Sequence, residues 1–93
     1  MTNLVFDKLK AVNDEESFVD FARALVADRE GVEAIAPTLD GFQGEWANQS
    51  ISAFVGAGIS WADDSDFGSR PGPKPSNPWT LFAQFLWAGR TYE

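Results

Sequence analysis

Phe18, Phe21, Ala22, Leu25 and Val26 recur at the spacing i, i+3, i+4, i+7, i+8. That spacing gathers five apolar side chains on one face of a helix, whereas a strand would split them between two faces. The period returns at Trp79, Phe82, Ala83 and Leu86, with Phe85 and Trp87 widening the stripe, and at Ile51, Phe54, Val55, Gly58 and Ala62. No stretch alternates convincingly with period two, although Val32–Ile35 could pair locally. Ninety-three residues suit one domain, too short for two cores. The reading is an all-α, compact single domain over residues 1–93, built from three to four helices. Its core is expected to join Phe18, Phe21, Leu25, Phe54, Trp61, Trp79, Phe82 and Leu86.

Local chemistry suggests where the helices begin and end. Asn13 reads as an N-cap with Glu16 reaching back to close a capping box, ahead of a helix over 14–30 that Gly31 stops. Leu4, Val5, Leu9 and Val12 suggest a shorter helix before it. Asn48 reads as the cap of the next helix. Its Gly56 and Gly58 each cost about 1 kcal/mol against Ala in a helix interior. For Gly58, which shares a face with Phe54 and Trp61, the compensation would be close approach of another helix or a Trp ring. Asn77-Pro78 opens the last helix and Gly89 closes it. Between these, 31–47 is irregular, punctuated by Pro37, Gly41 and Gly44, and 63–76 is a Pro/Gly-rich loop.

Composition removes much chemistry. The chain has no Cys and no His, so disulfides, thiolate catalysis, zinc fingers, Ser-His-Asp triads and His-based acid–base steps are excluded. Fourteen acids against seven bases give a net charge of −7, which a phosphate backbone or an anionic membrane would repel. The charge is uneven: residues 1–45 hold ten acids and four bases, and residues 46–93 hold four acids and three bases. The N-terminus has no basic stretch leading into an apolar run, and the longest weakly polar run, Ile51–Ala62, is shorter than the roughly 20 residues of a membrane span. The expectation is a cytoplasmic protein.

The candidate constellations each have an ordinary structural reading beside the functional one. Trp46, Trp61 and Trp79 sit beside caps or on apolar stripes and read as core, whereas Trp87 lies off the main stripe and suits a partner-facing role equally well. Asp14, Glu15 and Glu16 fall in a first helical turn, where the helix dipole favours them. Asp63, Asp64 and Asp66 fail the calcium-loop template, since Lys74 stands where a bidentate Glu belongs. Gly56-Ala57-Gly58 lacks the strand and the Lys-Ser/Thr of a phosphate loop, and no serine has a base to activate it. The 70–75 stretch reads as a loop rather than a polyproline ligand.

The set E-E-S-F-V-D-F-A-R-A-L, Trp46-x-Asn48, Trp61-Ala-Asp-Asp-Ser65 and Asn77-Pro78-Trp79 through Ala-Gly-x-x-Tyr92-Glu93 resembles a small bacterial domain family of unknown function, over about residues 14–93. The chain departs from the family pattern at Gly56, Gly58 and the proline-rich 70–78 loop. The resemblance implies no catalytic or binding residue.

What remains is a non-enzymatic acidic protein-interaction module without metal or cofactor, directed at a protein partner with a basic surface and not at nucleic acid or membrane. An immunity or inhibitor protein fits this description, since an acidic surface is steered to a basic active site. The alternatives are a phage-type nucleic-acid mimic and a carboxylate-dependent metal binder or enzyme. The expected contact residues are Asp14, Glu15, Glu16, Asp20, Asp28, Glu30, Glu33 and Trp87.

Overall fold

The computed structural model describes residues 4–70 and 72–92; Pro71 of the loop and Glu93 of the C-terminal motif lie outside them. Four helices follow one another: α1 (Leu4–Lys10), α2 (Glu15–Val32), α3 (Ile51–Asp64) and α4 (Pro78–Thr91). The fold is all-α, and the isolated β-bridge among the described residues joins Gln43 to Trp46 rather than involving Val32–Ile35. α1 packs on α2 and α4, α2 also packs on α4, and α3 lies along α4 without approaching α1 or α2. The last helix is therefore the common support.

The helix boundaries follow the sequence signals with instructive shifts. The cap of α2 is Asp14, not Asn13, and Ser17 rather than Glu16 closes the box. The Ser17 amide donates to Asp14 Oδ1 at 2.8 Å, while Ser17 Oγ accepts the Asn13 and Asp14 amides at 2.9 and 3.0 Å. A hydroxyl both donates and accepts, so Ser17 satisfies orphan N–H groups without the reach Glu16 needs. Gly31 does not stop α2, which runs on to Val32 with Glu33 as its C-cap. The carbonyls just beyond, Glu33 and Ile35, accept from Gln43 Nε2 at 3.3 and 2.7 Å, so no left-handed glycine is needed there.

Asn48 does not cap α3. Ser50 does, its hydroxyl accepting the Ala53 amide at 3.1 Å. Asn48 instead donates through Nδ2 to the carbonyls of Gly89 and Tyr92, each at 2.9 Å. An amide NH₂ has two donors for two carbonyls at the end of α4; a serine has one. Asn77 caps α4 as expected, with Pro78 at the first position, and its Nδ2 donates to Asn13 O at 2.7 Å across 64 residues of chain. Gly89 lies inside α4, which continues to Thr91.

The core comprises Val5, Val12, Phe21, Leu25, Trp46 and Ala83, with Phe18, Phe54, Trp79, Leu86 and Trp87 packed against it. Phe82, expected inside, is 48% exposed and leans its ring on the edges of Phe18 and Trp79. Ala83 takes the fully buried place one residue on, because a helix stripe has room for one residue at its centre line. The loop after α3 folds tightly: Asp66, Phe67 and Gly68 all take positive φ, at 52°, 54° and 81°. A left-handed Phe is costly, and it is held by its ring, which stacks on Phe85 and meets Trp61 edge-on.

Three helical glycines now separate. A Cβ at Gly58 would lie 2.8 Å from the Phe85 ring, so the close approach expected there is made by a Phe on α4. A Cβ at Gly89 would lie 2.8 Å from the Phe54 carbonyl oxygen, and one at Gly56 would meet nothing within 4 Å. Gly56→Ala should therefore raise stability by about 1 kcal/mol through helix propensity. Gly58→Ala should lower it despite the same propensity gain, by about 1–2 kcal/mol, as overpacked cores do. Gly89→Ala should be worst, since a backbone oxygen cannot swing aside. Urea unfolding of the three variants checks the order.

Candidate functional site

The segment between α2 and α3 is ordered around Trp46. Its indole N–H donates to Asp28 Oδ2 at 2.8 Å, and its ring stacks on Phe54 with centroids 5.9 Å apart. Two guanidinium groups face that ring, Arg29 with its Cζ at 5.3 Å and Arg90 at 5.8 Å from the centroid. Arg90 is 3% exposed. It donates through Nε to Asp28 Oδ2 at 3.0 Å and through Nη2 to Glu45 Oε2 at 2.9 Å, with its Cζ 4.9 Å from the Trp87 centroid. Arg29 donates to Gln49 Oε1 and Gln43 Oε1, each at 2.6 Å. Gln49 Nε2 in turn donates to the Gly41 and Trp46 carbonyls at 2.8 and 2.6 Å. No buried side-chain nitrogen or oxygen among the described residues lacks a partner.

This network accounts for the motif residues. Trp46 and Asn48 join the middle of the chain to the end of α4. Ser65 Oγ donates to Trp61 O at 2.6 Å and accepts from the Gly68 amide at 2.9 Å, closing the turn after α3. The Tyr92 hydroxyl donates to the Asp64 carboxylate, which pushes the phenol above its ordinary value of 10.0. All of these are joints of the fold.

The expected contact residues are divided among different tasks. Asp28 turns inward to Trp46 and Arg90. Asp20 pairs with Arg23 at 3.6 Å and Glu33 with Arg29 at 3.6 Å. Asp14 caps α2. Glu15, Glu16 and Glu30 are exposed and form no ion pair among the described residues. Glu15–Glu16 and Glu30–Glu33 sit at opposite ends of α2, which at 1.5 Å per residue spans about 27 Å. They do not form one patch.

What the fold does assemble is a cleft. Because α3 stands off α2, an open groove of about 340 Å³ remains between them, lined by Leu25, Val26, Arg29, Glu30, Glu33, Trp46 and Phe54. Its continuation toward Asn48, Gln49, Ser50 and Ile51 adds about 250 Å³. The walls are apolar, and the rim carries Glu30 and Glu33 beside an Arg29 already held by Gln43 and Gln49. Trp87 belongs elsewhere: it lines a separate groove of about 390 Å³ with Phe6, Leu9, Trp61, Arg70 and Tyr92. Among the described residues no three acidic groups gather to hold a metal ion, and no helix is long and apolar enough to cross a membrane.

The Arg90 hub was not anticipated from sequence. Its signal is that Arg90 is the one base between Pro75 and Glu93, set in an otherwise uncharged helix near Trp87. No protein-family model, curated protein or solved structure matches the chain.

Arg90→Ala should cost about 3 kcal/mol, the lower end for a broken buried pair, because the Asp28 side chain keeps 27% of its exposure. Arg90→Lys should recover only part of this, since one ammonium cannot serve Asp28 and Glu45 as a fork and stack on two indoles. Denaturant melts of both variants test it.

Asp14 offers a pH test. The Ser17 hydroxyl first, then the Ser17 amide, hold its carboxyl below the ordinary 3.8. Between the folded and unfolded pKa values the unfolded chain binds more protons, so the contribution is present above about pH 4 and fades below it. Asp14→Ala should lower the melting temperature at neutral pH, and the gap should narrow as the pH falls through that window. Circular-dichroism melts along a pH series measure the gap.

Proposed function

We propose that this chain is a non-enzymatic protein-interaction module of bacterial origin that binds a basic surface of another protein in the cytoplasm, as an immunity or inhibitor protein does. The observation that carries the reading is the cleft between α2 and α3, apolar on its walls and edged by Glu30 and Glu33. A Lys or Arg from a partner suits such a groove, its methylenes against Val26 and Phe54 and its charge at the rim carboxylates. The run from Glu30 to Ser69 contains no Lys or Arg, and the cation on the lining, Arg29, is already engaged by Gln43, Gln49 and Glu33. With a net charge of −7 the whole molecule also steers basic surfaces inward and nucleic acid away. Neither His nor Cys is present to support the commoner hydrolytic chemistries.

The partner is identified by affinity capture from the native host, and the reading is then tested by surface-based kinetics. Association should slow as salt rises from about 0.05 to 0.5 M, because the Debye length contracts to a few ångströms. Glu30→Gln with Glu33→Gln should lower the on-rate more than it raises the off-rate, the pattern of rim charges. Salt-independent association with unchanged rates in the double variant would reduce the acidic rim to a solubility device.

A further inference from the structure

We propose that the outward face of α3 is a self-association surface on which a second copy of this chain docks antiparallel. α3 lies along α4 alone, so its far side has no partner in the fold. That side presents Ile51, Val55 and Ile59 at i, i+4 and i+8, exposed by 85, 42 and 51%, with Ile51 at its end also bordering the cleft. Three aliphatic side chains in a row are unusual on a free helix face, where charged residues normally stand.

Charge selects the occupant. Residues 51–62 carry no ionisable side chain, so a basic partner finds no carboxylate along the stripe short of Asp63 and Asp64 at its end. From Glu30 to Ser69 there is no Lys or Arg, so an acidic partner or an anionic lipid surface finds no cation. A second copy has neither defect. It also approaches by its least charged half, keeping apart the two 1–45 halves that each carry net −6.

The helix ends set the direction. Asp63 and Asp64 occupy the last turn of α3 with no base beside them, where the helix dipole disfavours carboxylates, and the first turn has no acid. An antiparallel pair centred on Val55 sets Ile51 against Ile59 of the second copy. It also carries Asp63, one turn beyond Ile59, to the N-terminus of the other α3, whose free N–H groups and positive dipole end favour a carboxylate. A parallel pair would bring the carboxylates together instead. Gly56 flanks this stripe, between Ser52 and Ser60, and a Cβ there meets nothing within the chain, so its own fold gives no reason for a glycine. The stripe is small beside the roughly 800 Å² per partner of a standard interface, so the dimer is weak and concentration-dependent.

Sedimentation equilibrium of the full chain from about 10 µM to about 1 mM should show the mean mass rising from one chain toward two. Val55→Glu places like charges at the two-fold centre and should weaken association at least about tenfold. Val55 is a surface residue, so the helical circular-dichroism signal should stay unchanged, and Ile59→Glu provides a second variant. The chain has no Cys, so Val55→Cys should give one disulfide-linked dimer under mild oxidation, while Val19→Cys on the exposed side of α2 should not. Glu30→Gln with Glu33→Gln should leave self-association intact, which separates this proposal from the cleft reading. A wild type that stays monomeric at 1 mM overturns the proposal. So do folded Val55→Glu and Ile59→Glu variants that dimerise like wild type, or cross-linking at position 19 equal to that at 55.

Discussion

A guanidinium held between two indoles and two carboxylates organises this molecule. Arg90 belongs to α4, Asp28 to α2, and Trp46 and Glu45 to the segment between α2 and α3. A buried ion pair is a poor source of net stability, because desolvation offsets most of the attraction. Its value here is geometric. The fork of the guanidinium and the single acceptor Asp28 Oδ2, shared with the Trp46 indole, admit one arrangement of three chain segments. An apolar replacement would leave these three segments free to slide against one another. Asn48, bridging two carbonyls at the end of α4, repeats the device with uncharged groups.

This internal use of charge reshapes the meaning of an acidic sequence. Counting carboxylates along α2 suggests a single negative face, yet the helix spends Asp28 on the hub, Asp14 on its own cap, and Asp20 and Glu33 on neighbouring arginines. What is left for the outside is Glu15 and Glu16 at one end and, at the other, Glu30 with the exposed side of the Arg29-paired Glu33. The pair near the C-terminus matters more for recognition because it borders an apolar groove, where a bound cation loses water and its attraction strengthens. The pair near the N-terminus stands in open solvent.

The helices α2, α3 and α4 were legible in the sequence because each writes its period in large apolar residues and announces its start with a small polar one. Asn77-Pro78 is the clearest case, with cap and first residue both where the chain chemistry puts them. Capping is less legible where several candidates crowd together. Asn13, Asp14, Glu16 and Ser17 offer alternative hydrogen-bond sets, and distance alone decides among them. Phe82 and Ala83 show a second limit: adjacent apolar residues on a stripe differ by 100° of helix, and which one lies at the centre depends on where α2 and α3 come to rest. The cleft was illegible for a deeper reason. It is defined by helices that do not touch, and no periodicity encodes a separation. Residues 31–50 carry no period because their order comes from side chains reaching across the fold, notably Gln43 and Gln49, which look like ordinary surface amides in the sequence.

The attachment of α3 to α4 alone has a consequence for motion. Opening free energies differ across a protein, and the lowest belong to units with few tertiary contacts. α3 contains Gly56 and Gly58, and its helix–helix packing is concentrated in one interface with α4, with Phe54 reaching the core beside Trp46. Loss of that one interface would free α3 as a unit while α1, α2 and α4 kept their own contacts. Such an excursion would uncover the stacked face of Trp46 while Asp28 and Arg90 still hold the indole in place. The protein would then have two native-like forms with the same hub, differing only in whether an aromatic floor is covered.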